Sequence, residues 1–457
     1  MWFTILTVVA DQLKRVVAVG VLLATFGLAL TWGQSTDQLV FGESKRFRLA
    51  LPSRTTIPSD QVLPRNIESR EYSLAFARRM LVPAMTGSIA IGDFDGDRSS
   101  DLYVVLSGGA SYLVRNNGNG NFQDFTAKAK LSATGDVLAA TFSDYDRSGR
   151  PSLFLVGAGG VVLYHNNGHG TFSDQTDKAG LRFKKGELCT RAVLSDMDGD
   201  GYPDLFVAFY TDLDTPPNKP TFAFPNDFRG GASRLYRNNR NGTFTDITAA
   251  AGLSGNSGRA RNAFLTDFNG DGRPDLLILH DDRPPAFYLN KGGGKFEEAT
   301  WVSGEDFTRH AFFDGVVTDF NKDGKPDLAL WSSLSVLVLM NNGKPHFERE
   351  ESIPLISPPS SLFGFHAMVA DLNGDGFDDL LTLDNSGSAH CFANQGEKFR
   401  EVRFTLSVGA KPDGAITDSR SELSKLSSLV PVRLEGIRTL RLLALRADGR
   451  IVVLERQ

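Results

Sequence analysis

Between residues 88 and 400, short apolar runs alternate with tips rich in Asp, Asn and Gly. The stretch 263–299 shows the pattern: Ala263–Thr266, Leu276–Leu279, Ala286–Leu289 and Lys295–Ala299 are four runs separated by polar segments. Runs this short, bounded by turn residues, predict strands and not helices. Between the third and fourth runs stands Asn290-Lys-Gly-Gly-Gly294; Asn116-Asn-Gly118, Asn166-Asn-Gly168 and Asn341-Asn-Gly343 are its counterparts. Asn and Gly accept the positive φ that tight hairpins demand, so each group of four runs predicts an antiparallel meander.

The pattern recurs. The first Asp of the acidic tip stands at 93, 144, 196, 267, 319 and 371, in steps of 51, 52, 71, 52 and 52. A Phe after the later turn stands at 122, 172, 244, 296, 347 and 399, in steps of 50, 72, 52, 51 and 52. Two independent markers give one period, interrupted by an insertion within Thr211–Gly231 of the third unit. Four antiparallel strands every fifty or so residues predict an all-β propeller. Beyond the sixth unit, 429–434, 440–445 and 450–454 supply three more strands. The segment 41–51 mirrors 395–404, and so supplies a fourth. The expectation is a seven-bladed β-propeller of four-stranded blades over 38–457, its last blade (413–457 plus 39–51) closed by the N-terminal strand.

Residues 1–37 differ in kind. Lys14 and Arg15 precede an uncharged stretch, Val16–Thr36, which predicts an apolar helix acting as an export signal or a membrane anchor. Thr31 and Gly33 suit cleavage before Gln34; the length also suits an uncleaved anchor. Either places the rest of the chain outside the cytoplasm: secreted, periplasmic or cell-surface, with membrane contact only through this segment. Asn241-Gly-Thr243 is a glycosylation sequon in a secretory host.

Composition adds two exclusions. The net charge of −5 conceals that 19 of the 54 acidic residues sit in the tips, leaving the remainder positive. That positive charge is scattered, without a Lys/Arg run, so nucleic acid is excluded as a partner. Two cysteines, Cys189 and Cys391, at non-equivalent places in the repeat, form no disulfide framework.

The tips carry the chemistry. Asp267, Asn269, Asp271 and Asp275 place oxygen side chains at positions 1, 3, 5 and 9, with Gly272 at position 6. Hard oxygen donors at alternating positions around a glycine turn suit calcium. Asp196, Asp198, Asp200 and Asp204 form the most negative set; Asp319, Asn321, Asp323 and Asp327, and Asp371, Asn373, Asp375 and Asp379, repeat the pattern. Asp93, Asp95, Asp97 and Asp101 keep all four acids but have Arg98 at position 6, so weaker binding is expected there. The second tip has Ser148 and Ser152 at positions 5 and 9 and is expected to be empty. About five calcium sites follow.

The repeat resembles the FG-GAP/VCBS-repeat propellers, the group that includes the integrin α-subunit head. Phe122-Gln-Asp-Phe-Thr126, Phe172-Ser-Asp-Gln-Thr-Asp-Lys-Ala-Gly-Leu181 and Phe244-Thr-Asp-Ile-Thr-Ala-Ala-Ala-Gly-Leu253 are similar to strand endings of its cartilage-acidic-protein-like branch. That branch often carries a C-terminal extension, which this chain lacks. The resemblance implies calcium ligation through side chains 1, 3, 5 and 9 and the position-7 carbonyl, here of Tyr202, Arg273, Lys325 and Phe377. It implies adhesion or recognition more than catalysis.

In such a meander the acidic tips share one face, and the insertion falls on the other. Arg191, Phe222, Phe224, Phe228, Arg261, His310 and His366 are the candidate ligand-binding residues of that second face, for a protein or glycan ligand. Two alternatives stand beside a calcium-stabilised, non-catalytic binding module. One is a lyase or hydrolase working in the central channel, although HExxH, GxSxG and phosphate-loop motifs are absent. The other is a membrane-tethered assembly scaffold.

Overall fold

A computed structural model describes residues 38–50, 88–106, 111–118, 122–131, 136–215, 228–299, 310–332, 335–343, 347, 349–354, 366–383, 389–396, 398–407, 426–432, 441–446 and 450–456. The apolar segment 1–37, Phe222, Phe224 and most of the span 51–92 lie outside these residues. Among the described residues no helix is long and apolar enough to cross a membrane.

The described chain is all-β. Units one to five each form a separate four-stranded antiparallel sheet in which sequence neighbours pair. Unit four, for instance, consists of Ala260–Thr266, Asp275–His280, Ala286–Gly292 and Lys295–Glu298. Its acidic tip is closed by the pair Thr266↔Asp275, so position 9 is the first residue of the second strand. Ser195↔Asp204, Gly92↔Asp101, Thr318↔Asp327 and Ala370↔Asp379 close the equivalent tips.

The second strands Asp101–Val105, Ser152–Gly157, Asp275–His280 and Asp327–Trp331 are buried along their whole length. Both faces of each sheet are covered, which explains runs such as Leu276-Leu-Ile-Leu279, with no polar alternation. The core is a series of layers between successive sheets. One layer joins Phe94, Tyr103 and Leu113 of unit one to Leu153, Tyr164 and Phe172 of unit two. Others join units two and three, three and four, four and five, and five and six. First strands accordingly lie beside one another in chain order, from Ser88–Gly92 to His366–Ala370.

Two departures from a plain repeat matter. In unit three, Gly231–Ala232 pairs with Ser257–Gly258, a two-stranded ribbon tying the end of the insertion to the entry of unit four. Unit six belongs to an eight-stranded sheet. There Gln38–Ala50 runs parallel to Phe399–Ser407 and antiparallel to Arg450–Arg456, which continues into Arg441–Arg446 and Leu426–Val432. Cys189 and Cys391 are free and buried, as small apolar side chains would be.

Candidate functional site

Each acidic tip is built on its own backbone amides. In unit three, Asp196 Oδ1 accepts from Gly199 N (2.8 Å) and Asp200 N (3.0 Å), and Oδ2 from Gly201 N (2.8 Å). Asp198 Oδ1 accepts from Asp200 N (3.1 Å), and Asp200 Oδ1 from Tyr202 N (2.8 Å). The same contacts recur in unit four, where Asp267, Asn269 and Asp271 accept from Gly270, Gly272, Asp271 and Arg273. Short acceptor side chains bind amides two to five residues on, which turns the chain tightly.

Position 9 behaves differently. Asp101, Asp204, Asp275, Asp327 and Asp379 are buried, at 0–1% exposure. Each takes at least two amides: Asp275 accepts from Phe268 N (3.1 Å) and Asn290 N (2.9 Å), Asp204 from Met197 N (3.0 Å) and Asn238 N (2.8 Å), and Asp379 from Leu372, Asn373 and Asn394. Burial, with a smaller push from neighbouring carboxylates, outweighs these bonds and raises the carboxyl of Asp101 and Asp379 to about 7. Asp204, Asp275 and Asp327 rise to about 6 for the same reason. The carboxylates lack compensating positive charge at depth.

In two of the tips, three of the four side chains expected to meet come together among the described residues. Oxygens of Asp93, Asp95 and Asp101, and of Asp196, Asp198 and Asp204, lie within 4.8 Å of one another. An all-oxygen, mostly anionic donor set of this kind fits a hard cation. Basic side chains attend the position-5 acids: Arg240 Nε is 2.6 Å from Asp200, Arg273 Nη2 2.5 Å from Asp271, and Lys325 Nζ 3.1 Å from Asp323. In unit one that role falls to Arg115, at 2.5 Å from Asp95 and 3.3 Å from Asp97. Arg98 does adopt the left-handed conformation expected of it, at φ 69°. Position 4 is left-handed too, at Gly270 and at Lys322 (φ 63°), a requirement the position-6 glycine did not disclose.

The second tip keeps the fold without the donors. Asp144 accepts from Ser148 N (2.8 Å) and Gly149 N (2.9 Å), and Ser152 Oγ takes over the amide of Asn166 (3.1 Å). Two aspartates and a serine accepting backbone amides therefore suffice to shape this tip, and the extra carboxylates of the other tips exceed what the turn needs.

Asn116, Asn166, Asn290 and Asn341, read in the sequence as turn residues, have a larger role, shared by Asn238 and Asn394 of units three and six. None is left-handed. Asn341 Nδ2 donates to Phe268 O of the preceding unit's acidic tip (2.8 Å) and to Pro326 O of its own (3.1 Å). Asn166, Asn238, Asn290 and Asn394 reach Phe94, Tyr145, Met197 and Phe320 of the preceding tip in the same way. The ring at tip position 2 also meets the marker Phe of the following unit: Phe94–Phe172 at 6.0 Å and Tyr145–Phe244 at 5.7 Å.

At the opposite end the candidate ligand residues fare unevenly. Arg191 Nε donates to Asn262 Oδ1 (3.0 Å), and Asn262 Nδ2 to Asp314 Oδ1 (2.7 Å), a polar chain across three first strands. Arg261 and His310 are half-buried. Phe228 is buried at 3% exposure, and its carbonyl accepts from Arg259 Nη1; its ring is packing, not an open contact surface. His366 opens the first strand of unit six.

Sequence reading passed over Glu187 and Arg234. They pair at both oxygens beside the insertion, with Nη2–Oε1 at 2.5 Å and Nη1–Oε2 at 3.2 Å, on the wall of a cleft of about 630 Å³. Their only sequence signal was position at the non-tip ends of strands.

Five matches to the FG-GAP-like repeat cover residues 93–155, 144–207, 222–278, 267–328 and 319–382, more than half of the chain. The chain belongs to the FG-GAP-like repeat family. Cartilage acidic protein 1 of Mus musculus is 28% identical over 165 residues, covering 34% of this chain and 25% of that protein. The Homo sapiens protein is 27% identical over 168 residues, with the same shares. The match thus spans about a quarter of the length of these relatives. Among solved structures, the BP39L lectin of Burkholderia pseudomallei aligns with a TM-score of 0.51 at 12% identity, covering 81% of this chain and 95% of that one. At that identity the likeness is one of fold. This FG-GAP chain is an all-β, propeller-like assembly with acidic clusters at one end of its units.

Proposed function

We propose that this FG-GAP chain is a calcium-stapled, seven-bladed propeller acting outside the cytoplasm as a non-catalytic binding module. The observation that carries this reading is the division between its two ends. Acidic tips repeat in phase at one end, and a cleft lies at the other, beside the described ends of the unit-three insertion. Calcium held by Asp196, Asp198, Asp200 and Asp204 and their counterparts would supply the positive charge that the buried position-9 carboxylates lack. Its role would be structural: it would neutralise about five of the tips and pin the first hairpins of their blades. Binding to the folded state alone contributes about 2.7 kcal/mol per site at a hundredfold excess over Kd.

Closure into seven blades is supported by Leu426–Val432, which lies beside both His366–Ala370 and Ser88–Gly92. Location outside the cytoplasm rests on the sequence of residues 1–37. The similar Burkholderia fold is described as a lectin, so glycans join proteins in the ligand set to be tested.

Melting the protein with calcium and with chelator tests the staple. We expect the melting temperature to fall by several degrees on chelation; an unchanged value, with no metal retained by elemental analysis, removes calcium from the reading. Ligand screening uses a glycan array and a surface-protein panel, each with and without calcium. Binding to neither overturns the recognition role.

A further inference from the structure

We propose that the cleft at the non-tip end of unit three binds a neutral saccharide residue. The proposal rests on the binding-module reading above and names its site and ligand class. The cleft measures about 630 Å³ and adjoins a second of about 540 Å³; Lys184, Glu187, Arg234 and Asp246 line both. Volumes of this size suit small ligands. It sits where the strand ends Glu187 and Asp212 pair, opposite the tip pair Ser195 and Asp204.

The wall between the two clefts is rigid. The Glu187 side chain is 6% exposed, is held at both oxygens by Arg234, and receives Lys184 N at 2.9 Å. The guanidinium of Arg234 lies over the Phe183 ring at 5.0 Å. A planar, doubly bonded, stacked guanidinium has little freedom left to lose when a ligand arrives.

Charge decides the ligand class. Glu187 and Arg234 cancel each other. Lys184 and Arg229 are exposed around the cleft, and Asp212 and Asp246 answer them with equal and opposite charge. Asp246 commits Oδ1 to Thr248 N and Oγ1, and its other oxygen accepts no bond among the described residues. Donors and acceptors thus face one cavity with no net charge, beside a small carbon surface formed by Gly231, Ala232 and the little that the buried Phe209 ring leaves exposed. Gly231 has no side chain to hold the backbone off the Phe209 ring. A sugar ring matches this set: its hydroxyls donate and accept, and its C–H face lies on carbon. An anionic ligand would leave Asp212 and Asp246 opposing it.

The test applies the full chain to an array of neutral, uronate-containing and sulfated oligosaccharides, and titrates the hits by calorimetry. The expected result is binding of neutral sugars with affinity insensitive to salt. Lys184→Ala/Arg229→Ala should lower that affinity about tenfold or more, the worth of two charged hydrogen bonds. Lys398→Ala, exposed in unit six, should leave it unchanged. Both altered residues of the double variant are exposed, and an unchanged melting temperature will show that the fold is intact. Neutral-sugar binding that survives the double substitution overturns the site while leaving the binding-module reading standing. Binding restricted to sulfated or uronate sugars and abolished by salt overturns the ligand class. Recognition of a protein alone, with every sugar ignored, overturns the saccharide proposal but not the module.

Discussion

At the scale of single residues, the tips show where side chains are tolerated and where they cost stability. Arg98 holds φ 69° at a position where all five other tips have glycine, a conformation that disfavours any residue with a Cβ. Arg98→Gly is expected to stabilise the protein by about 0.5–1 kcal/mol, measured as an upward shift of the urea midpoint. His280 ends the second strand of unit four, fully buried, and burial lowers its pKa from 6.5 to about 4. A histidine held neutral in the fold binds fewer protons than in the unfolded chain. Its contribution is therefore intact above pH 6.5 and is lost as pH falls from 6.5 towards 4. The loss amounts to about 3 kcal/mol at most. Comparing urea midpoints of wild type and His280→Gln from pH 7 to pH 4 isolates this effect, because the tip carboxylates titrate alike in both. The wild type should lose stability more steeply; parallel curves would remove His280 from the account.

At the scale of elements, the unit that matters is the acidic tip joined to the asparagine of the next unit. Asp327 receives Phe320 N and Asn341 N, while the amide of Asn341 reaches back to Phe268 O. The backbone of one tip is thereby held by its own position-9 acid and by its neighbour. Asn341→Ala leaves two buried carbonyls without this donor and should cost about 2–4 kcal/mol by chemical denaturation. Asn239→Ala, whose amide serves only Thr243 and Thr245 within its own turn, should cost far less. Equal losses would show that the inter-unit bond adds nothing. The strands and the tip were legible in the sequence because period, turn residues and oxygen spacing are local. The asparagine's role was not, because its partner lies 73 residues away and turn chemistry already accounted for its presence.

At the scale of the whole molecule, the sheets pack face to face, and the chain ends decide whether an edge is left exposed. Gln38–Ala50 lies between Phe399–Ser407 and Arg450–Arg456, pairing with both. Removing residues 38–50 would expose two strand edges at once. The expected outcome is a broadened, lowered thermal transition and self-association on size exclusion; a monomer that melts as before would refute a closing role for this strand. By itself, the sequence determined the all-β class, six units, their four-strand meanders and the acid spacing of the tips. These depend on contacts within some fifty residues, and they repeat, so chance coincidences cancel. Only the tertiary structure decided which groups meet between units. It placed Arg115 on the first tip's acids, turned Phe228 inward, and joined Glu187 to Arg234 beside the insertion. Such pairings come from neighbouring strands and sheets, where register and layer packing set what touches what, and no periodicity along the chain records them.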